Sequence, residues 1–140
     1  MINVTNRIAG LVGLMVLTGT AAFAQSEMKL DVPFTFHTPK ATMAPGTYTI
    51  THVAQAGSTP IYRVQNVDTK KAVLVVAPTS VARAANESLF DAKASFQCAG
   101  EYCALSAIYN RNKPTGDVLP VQLKKAPRGE KVAGVTIPAR

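Results

Sequence analysis

The run Phe96-Gln97-Cys98-Ala99-Gly100-Glu101-Tyr102-Cys103-Ala104-Leu105 constrains this chain more than any other stretch. Gly100-Glu101 has the make-up of a two-residue Gly-X hairpin loop, in which glycine takes the positive φ that such a turn demands. That loop sets Ala99 opposite Tyr102 and Cys98 opposite Cys103. With Ala99 and Tyr102 as the hydrogen-bonded pair, the cysteines occupy the non-hydrogen-bonded pair one step out. Facing Cα atoms there come to about 4.5 Å, a spacing a disulfide can bridge. We therefore expect a hairpin stapled by Cys98 and Cys103, with so short a covalent loop contributing roughly 2 kcal/mol.

A disulfide of this kind persists in oxidising compartments, and the N-terminus is consistent with export. Arg7 precedes an almost unbroken apolar run over residues 8–20, and Ala22-Phe23-Ala24 supplies a small-x-small cleavage pattern ahead of Gln25. Residues 1–24 are read as a helical signal peptide removed after Ala24, since the apolar run is shorter than the roughly 20 residues of a comfortable membrane span. No cysteine stands at the cleavage site to take a lipid. The expected mature chain is periplasmic or secreted and has 116 residues and no transmembrane segment. A chain of that size can bury about two-thirds of its unfolded surface without help from a metal.

The remaining sequence reads as strands. Leu30, Val32, Phe34 and Phe36 share one face of an alternating segment over residues 30–37, with Pro33 arguing for an edge. Ala44-Pro45-Gly46-Thr47 has proline and glycine placed for a type II turn. The β-branched stretch after it puts Tyr48, Ile50 and His52 on one side. Ala56-Gly57-Ser58-Thr59-Pro60 breaks that strand, and Tyr62 and Val64 share a face of the next. The apolar run over residues 72–77 suits an interior strand. Residues 80–88 are expected to form a loop holding at most one helical turn. Phe90, Phe96, Leu105 and Ile108 are the expected core contributors from the arms of the stapled hairpin. Residues 110–117 read as a polar turn-rich loop, and residues 118–123 as a last short strand.

Short strands separated by turn signals, without helix-strand alternation, predict an all-β fold. The expected architecture is a small antiparallel β-sandwich or a partly open β-barrel of about seven or eight strands. The β domain covers residues 25–123. A basic tail over residues 124–140 is expected to be mobile, with residues 135–137 able to add an edge pairing.

Three motifs together resemble a family of small exported all-β proteins of uncharacterised function from soil-dwelling Gram-negative bacteria. They are Val32-Pro33-Phe34-Thr35-Phe36, the proline-glycine turn and strand Met43-Ala44-Pro45-Gly46-Thr47-Tyr48-Thr49-Ile50, and the late hairpin with its glycine-acid turn. Met43 stands where a leucine is more usual. The resemblance implies export and a β fold, and brings no activity, ligand or catalytic residue with it.

The chain carries no persuasive catalytic constellation. Redox dithiols usually have two intervening residues at a helix start, whereas four separate Cys98 from Cys103. A zinc site would need more donors than those cysteines, His37 and His52 supply. No Gly-x-Ser-x-Gly occurs. His37 is expected on a solvated face and His52 at a core boundary. Asp68, Glu87, Asp91, Glu101 and Asp117 fall mostly in turns, where acids are favoured by local hydrogen bonding. No metal or other cofactor is expected.

Without Arg7 the mature chain keeps 14 of the 15 Lys and Arg against 8 Asp and Glu, a net charge of +6. Lys124, Lys125, Arg128 and Lys131 form a candidate anion-binding cluster for an anionic envelope polymer or a membrane surface. Nucleic acid fits poorly, because aromatic stacking residues are not interleaved with the cations. The leading expectation is an exported, non-enzymatic structural or binding module. The rivals are a basic-tail binder of anionic polymers or lipid head groups, and a small envelope hydrolase using spatially assembled carboxylates.

Overall fold

The computed structural model describes residues 27–121, 123 and 131–140. The expected signal peptide, Lys124, Lys125 and Arg128 lie outside them. Among the described residues the fold is all-β, with two sheets facing each other as a sandwich and not closed into a barrel. Eleven strands are seen: β1 (Glu27–Val32), β2 (Phe36–His37), β3 (Thr42–Met43), β4 (Gly46–Ala56), β5 (Thr59–Asn66), β6 (Ala72–Val76), β7 (Thr79–Ala82), β8 (Lys93–Ala99), β9 (Tyr102–Tyr109), β10 (Thr115–Val118) and β11 (Val132–Pro138). The first sheet runs β1-β4-β5-β6 and the second β11-β8-β9-β10-β7. The pairings are antiparallel except that β2 runs parallel to β9, beside Cys103 and Ala104, and carries β3 on its other side.

The hairpin between β8 and β9 has the expected register, Ala99 facing Tyr102 and Cys98 facing Cys103, with Gly100 at φ 62°. A bulge follows, because Ser95 pairs with Ala107 while Phe96 pairs with Leu105, leaving Ser106 unopposed. That extra residue lets Leu105 and Ile108, which a strict period of two would send to opposite faces, both reach the core. Ser106 settles its own polar group by donating its hydroxyl to the Ser95 carbonyl at 2.9 Å.

Leu30, Val32 and Phe36 point into the core as expected, but the segment is two strands, not one. At Pro33 the chain leaves the first sheet and crosses to the second. Phe36 sits at the middle of the core, edge-on to Tyr48 and Phe96 with ring centroids 5.0 and 5.3 Å away.

Several expectations are corrected. Gly46 does not take the positive φ of a type II turn; it opens β4 opposite Val32, where a Cβ would come within 2.9 Å of the Asn66 side chain. Gly57 does have positive φ, at the tip of the β4–β5 hairpin. Strand β6 lies at a sheet edge instead of the interior, and Leu74 and Val76 are exposed. Its run of apolar residues signals burial on both faces, yet only one face has a sheet against it.

Residues 80–82, expected within a loop, join Thr79 in β7, paired with β10, and the uniform exposure of this strand left no periodic signal. Phe90 is 73 % exposed and contributes nothing to the core. The short strand expected over residues 118–123 lies earlier, as β10 at Thr115–Val118, and β11 follows it. Residues 132–138 do not belong to a mobile tail, because β11 pairs with β8 along its whole length.

Candidate functional site

A polar cluster joins the sheets inside the sandwich. Tyr62 points inward from β5, where alternation already placed it, and its hydroxyl donates to the Asp117 carboxylate on β10. The Asn110 amide donates to the Tyr62 oxygen at 2.7 Å. Lys113 bridges both Asp117 oxygens at 2.8 and 2.9 Å. Each oxygen of Asp117, and the Tyr62 oxygen, thus has at least one donor. Burial, and next the bond to Asp117, push the Tyr62 phenol well above its ordinary range. The cluster is arranged to hold protons in place, and it ties the first sheet to the second.

Arg83, just after β7, organises the loops beside this cluster. Its guanidinium donates to the carbonyls of Lys113 (2.8 Å), Asn110 (2.6 Å), Asp91 (2.9 Å) and Ser88 (3.3 Å). The Tyr109 ring lies 5.4 Å from its central carbon and 4.9 Å from the Lys93 ammonium. Gly116 packs so tightly on that ring that a Cβ would sit 2.3 Å from it. Lys93 also pairs with Glu87 at 2.7 Å. A cleft of about 460 Å³ opens here, with Arg83, Glu87, Phe90, Asp91 and Arg111 among its walls.

A second cleft, of about 270 Å³, lies beside the stapled hairpin. The β2–β3 turn forms one wall, tightened by Thr38, whose oxygen accepts from the Ala41 amide at 3.1 Å. His37 stacks on Tyr102 with ring centroids 4.1 Å apart and hydrogen-bonds Thr42 at 3.0 Å. With Thr38, Lys40, Thr42 and Tyr102 around it, this cleft offers hydrogen-bonding groups suited to a small polar molecule. His37 was expected on a solvated face; it is half-buried and engaged.

The structure brings Cys98 and Cys103 to disulfide distance, their Sγ atoms 2.10 Å apart, at the rim of the core. It keeps the histidines apart: His37 is on the second sheet, whereas His52 is on the first, 3.1 Å from Gln55. Among the described residues no three His, Cys, Asp or Glu side chains gather as metal donors. Asp117, expected in a turn, is instead a buried strand residue, and Tyr62, Arg83 and Asn110 were missed as its surroundings. Of the candidate cations Lys131 is described, exposed and next to β11. Compared with protein-family models, curated proteins and solved structures, the chain matches none.

Proposed function

We propose that this chain is an exported, non-enzymatic structural or binding module of the cell envelope. The observation that carries the reading is the Cys98–Cys103 pair, set opposite each other by the register of the hairpin and brought to disulfide distance. Such a bond is retained where the surroundings are oxidising, which agrees with the cleavable leader read over residues 1–24. The resemblance to small exported β proteins, carried by the motifs around Pro33, Pro45 and Gly100, favours the same compartment.

The non-enzymatic part is supported by how the polar side chains are used. Asp117 is held by Tyr62 and Lys113, Glu87 by Lys93, and Asp31 by Arg140 and Thr47. These three acids belong to separate structural pairings; Glu87 shares the cleft of about 460 Å³ with Asp91, but its carboxylate there is engaged by Lys93 and is not left open to a substrate as a hydrolytic pair requires. The test is fractionation of the producing cells with N-terminal sequencing. The expected result is a periplasmic or secreted chain beginning at Gln25; a cytoplasmic chain retaining Met1 contradicts it.

A second reading, attachment to an anionic envelope polymer or lipid head groups, is favoured by the docking of β11. It fixes the far end of the basic segment, with Lys131 exposed at the join. Retention on cell-wall or lipopolysaccharide fractions that falls steeply with salt, and is lost on neutralising Lys124, Lys125, Arg128 and Lys131, is the expected result. Retention indifferent to salt and to those changes rejects it.

A further inference from the structure

We infer that β6 is a contact through which two copies of this chain associate, edge to edge and antiparallel. The sandwich is closed differently on its two sides. On one, β1 and β11 end their sheets, and Arg140 joins them by donating its amide to the Lys29 carbonyl at 3.0 Å and its guanidinium to Asp31 at 2.7 Å. On the other, β6 ends the first sheet and β7 the second, connected along the chain by Ala77-Pro78. Among the described residues no strand pairs with the outer edge of β6.

Sheet edges are ordinarily blunted by charge, proline, a bulge or extreme shortness. Strand β1 carries Glu27, Lys29 and Asp31, β11 carries Gly134 and Pro138, and β7 has four residues just after Pro78. Strand β6, Ala72-Val73-Leu74-Val75-Val76, carries no charge, proline or bulge within it, Lys71 and Pro78 lying just outside, and its pairing with β5 is regular throughout. Leu74 and Val76 stand exposed on it, with Arg63 opposite Leu74 and Ile61 opposite Val76 on the neighbouring strand, so that the apolar side chains lie on the edge strand itself. The edge therefore asks for an apolar, uncharged strand.

The strand itself meets that description, and its flanking charges favour a second copy. With a two-fold axis through Leu74, each Leu74 lies beside its counterpart and Ala72 beside Val76. Lys71 and Lys70 then fall opposite Ala77 and Pro78 of the other copy, so no two lysines oppose each other despite the basic character of the chain. Pro78 ends the pairing on one side and the turn at Lys70, with φ 63°, on the other. The first sheets of two copies would join as one continuous sheet.

Sedimentation velocity on the protein purified as it is recovered from its native compartment, from about 1 μM to about 1 mM, tests this. The expected result is a monomer–dimer equilibrium that Leu74→Lys weakens at least tenfold and that Phe90→Ser, a change at an exposed apolar site elsewhere, leaves alone. Hydrogen exchange on the unsubstituted protein provides a check independent of whether the lysine variant folds: amides of β6 slow as concentration rises. The inference is overturned by a chain that stays monomeric with β6 exchange independent of concentration. It is equally overturned by a dimer that Phe90→Ser disrupts, or by β6 found covered by a different polypeptide.

Discussion

The Tyr62 hydroxyl, on one sheet, donates to the Asp117 carboxylate on the other, 55 residues further along the chain. Because both side chains are buried, the bond matters most for what its loss exposes: a desolvated carboxylate short of one donor. Tyr62→Phe is expected to cost about 1–2 kcal/mol, and Asp117→Ala, which also strips Lys113 of its partner, about 2–3 kcal/mol. Urea denaturation measures both, and a double-mutant cycle should show strong coupling between the two sites.

The same pair sets an alkaline limit. A phenol whose folded pKa lies above its unfolded one binds its proton more tightly in the native state. Its contribution is complete below the ordinary tyrosine value near 10 and is lost as pH rises beyond it. Stability should fall above about pH 10 in the parent chain and fall less steeply in Tyr62→Phe, and denaturant midpoints across that range read the difference.

An acid limit is set at Asp31. The Thr47 hydroxyl, and then Arg140, hold its carboxyl below the usual 3.8. The stabilising effect is present above the ordinary value and lost as pH falls through the lower, folded one. NMR titration should find Asp31 below its usual range, with Thr47→Val and Arg140→Ala each moving it back up.

Two strand glycines of one sheet should behave in opposite ways. Gly116→Ala puts a Cβ into the Tyr109 ring and is expected to cost about 3 kcal/mol or more. Gly134 has nothing within 4 Å of that position, so Gly134→Ala should be neutral or gain about 0.5 kcal/mol. Thermal unfolding of the two variants distinguishes them.

Arg83 should prove a keystone for two loops and not for the core. Arg83→Ala removes donors from four carbonyls at once. It is expected to cost about 2 kcal/mol and to speed amide exchange over residues 84–92 and 110–114, leaving β4 and β5 protected. Arg83→Lys should recover little, since one ammonium cannot replace a planar fork of donors.

What the residues disclosed beforehand follows from how local each signal is. The turn at Gly100 and the cysteine register beside it were legible, because a two-residue loop fixes register by itself, whereas the bulge at Ser106 and the exposure of Phe90 were not. Alternation at Leu30, Val32 and Phe36 identified an inward face, but the same alternation is satisfied whether a chain stays in one sheet or changes sheets at Pro33. The run at Val73 and Val75 announced burial and said nothing about which flank would lack a neighbour. Asp117 follows Gly116 in a stretch rich in turn residues, and the Tyr62 hydroxyl that makes its burial tolerable is remote in sequence. Of the candidate basic cluster only Lys131 lies among the described residues.

The most direct test of the account is the state of Cys98 and Cys103 in protein taken from its native compartment with thiols blocked before lysis. Peptide mass spectrometry should find the two cysteines linked to each other and unalkylated. Recovery of both as alkylated free thiols would contradict the hairpin staple and, with it, the case for an exported module.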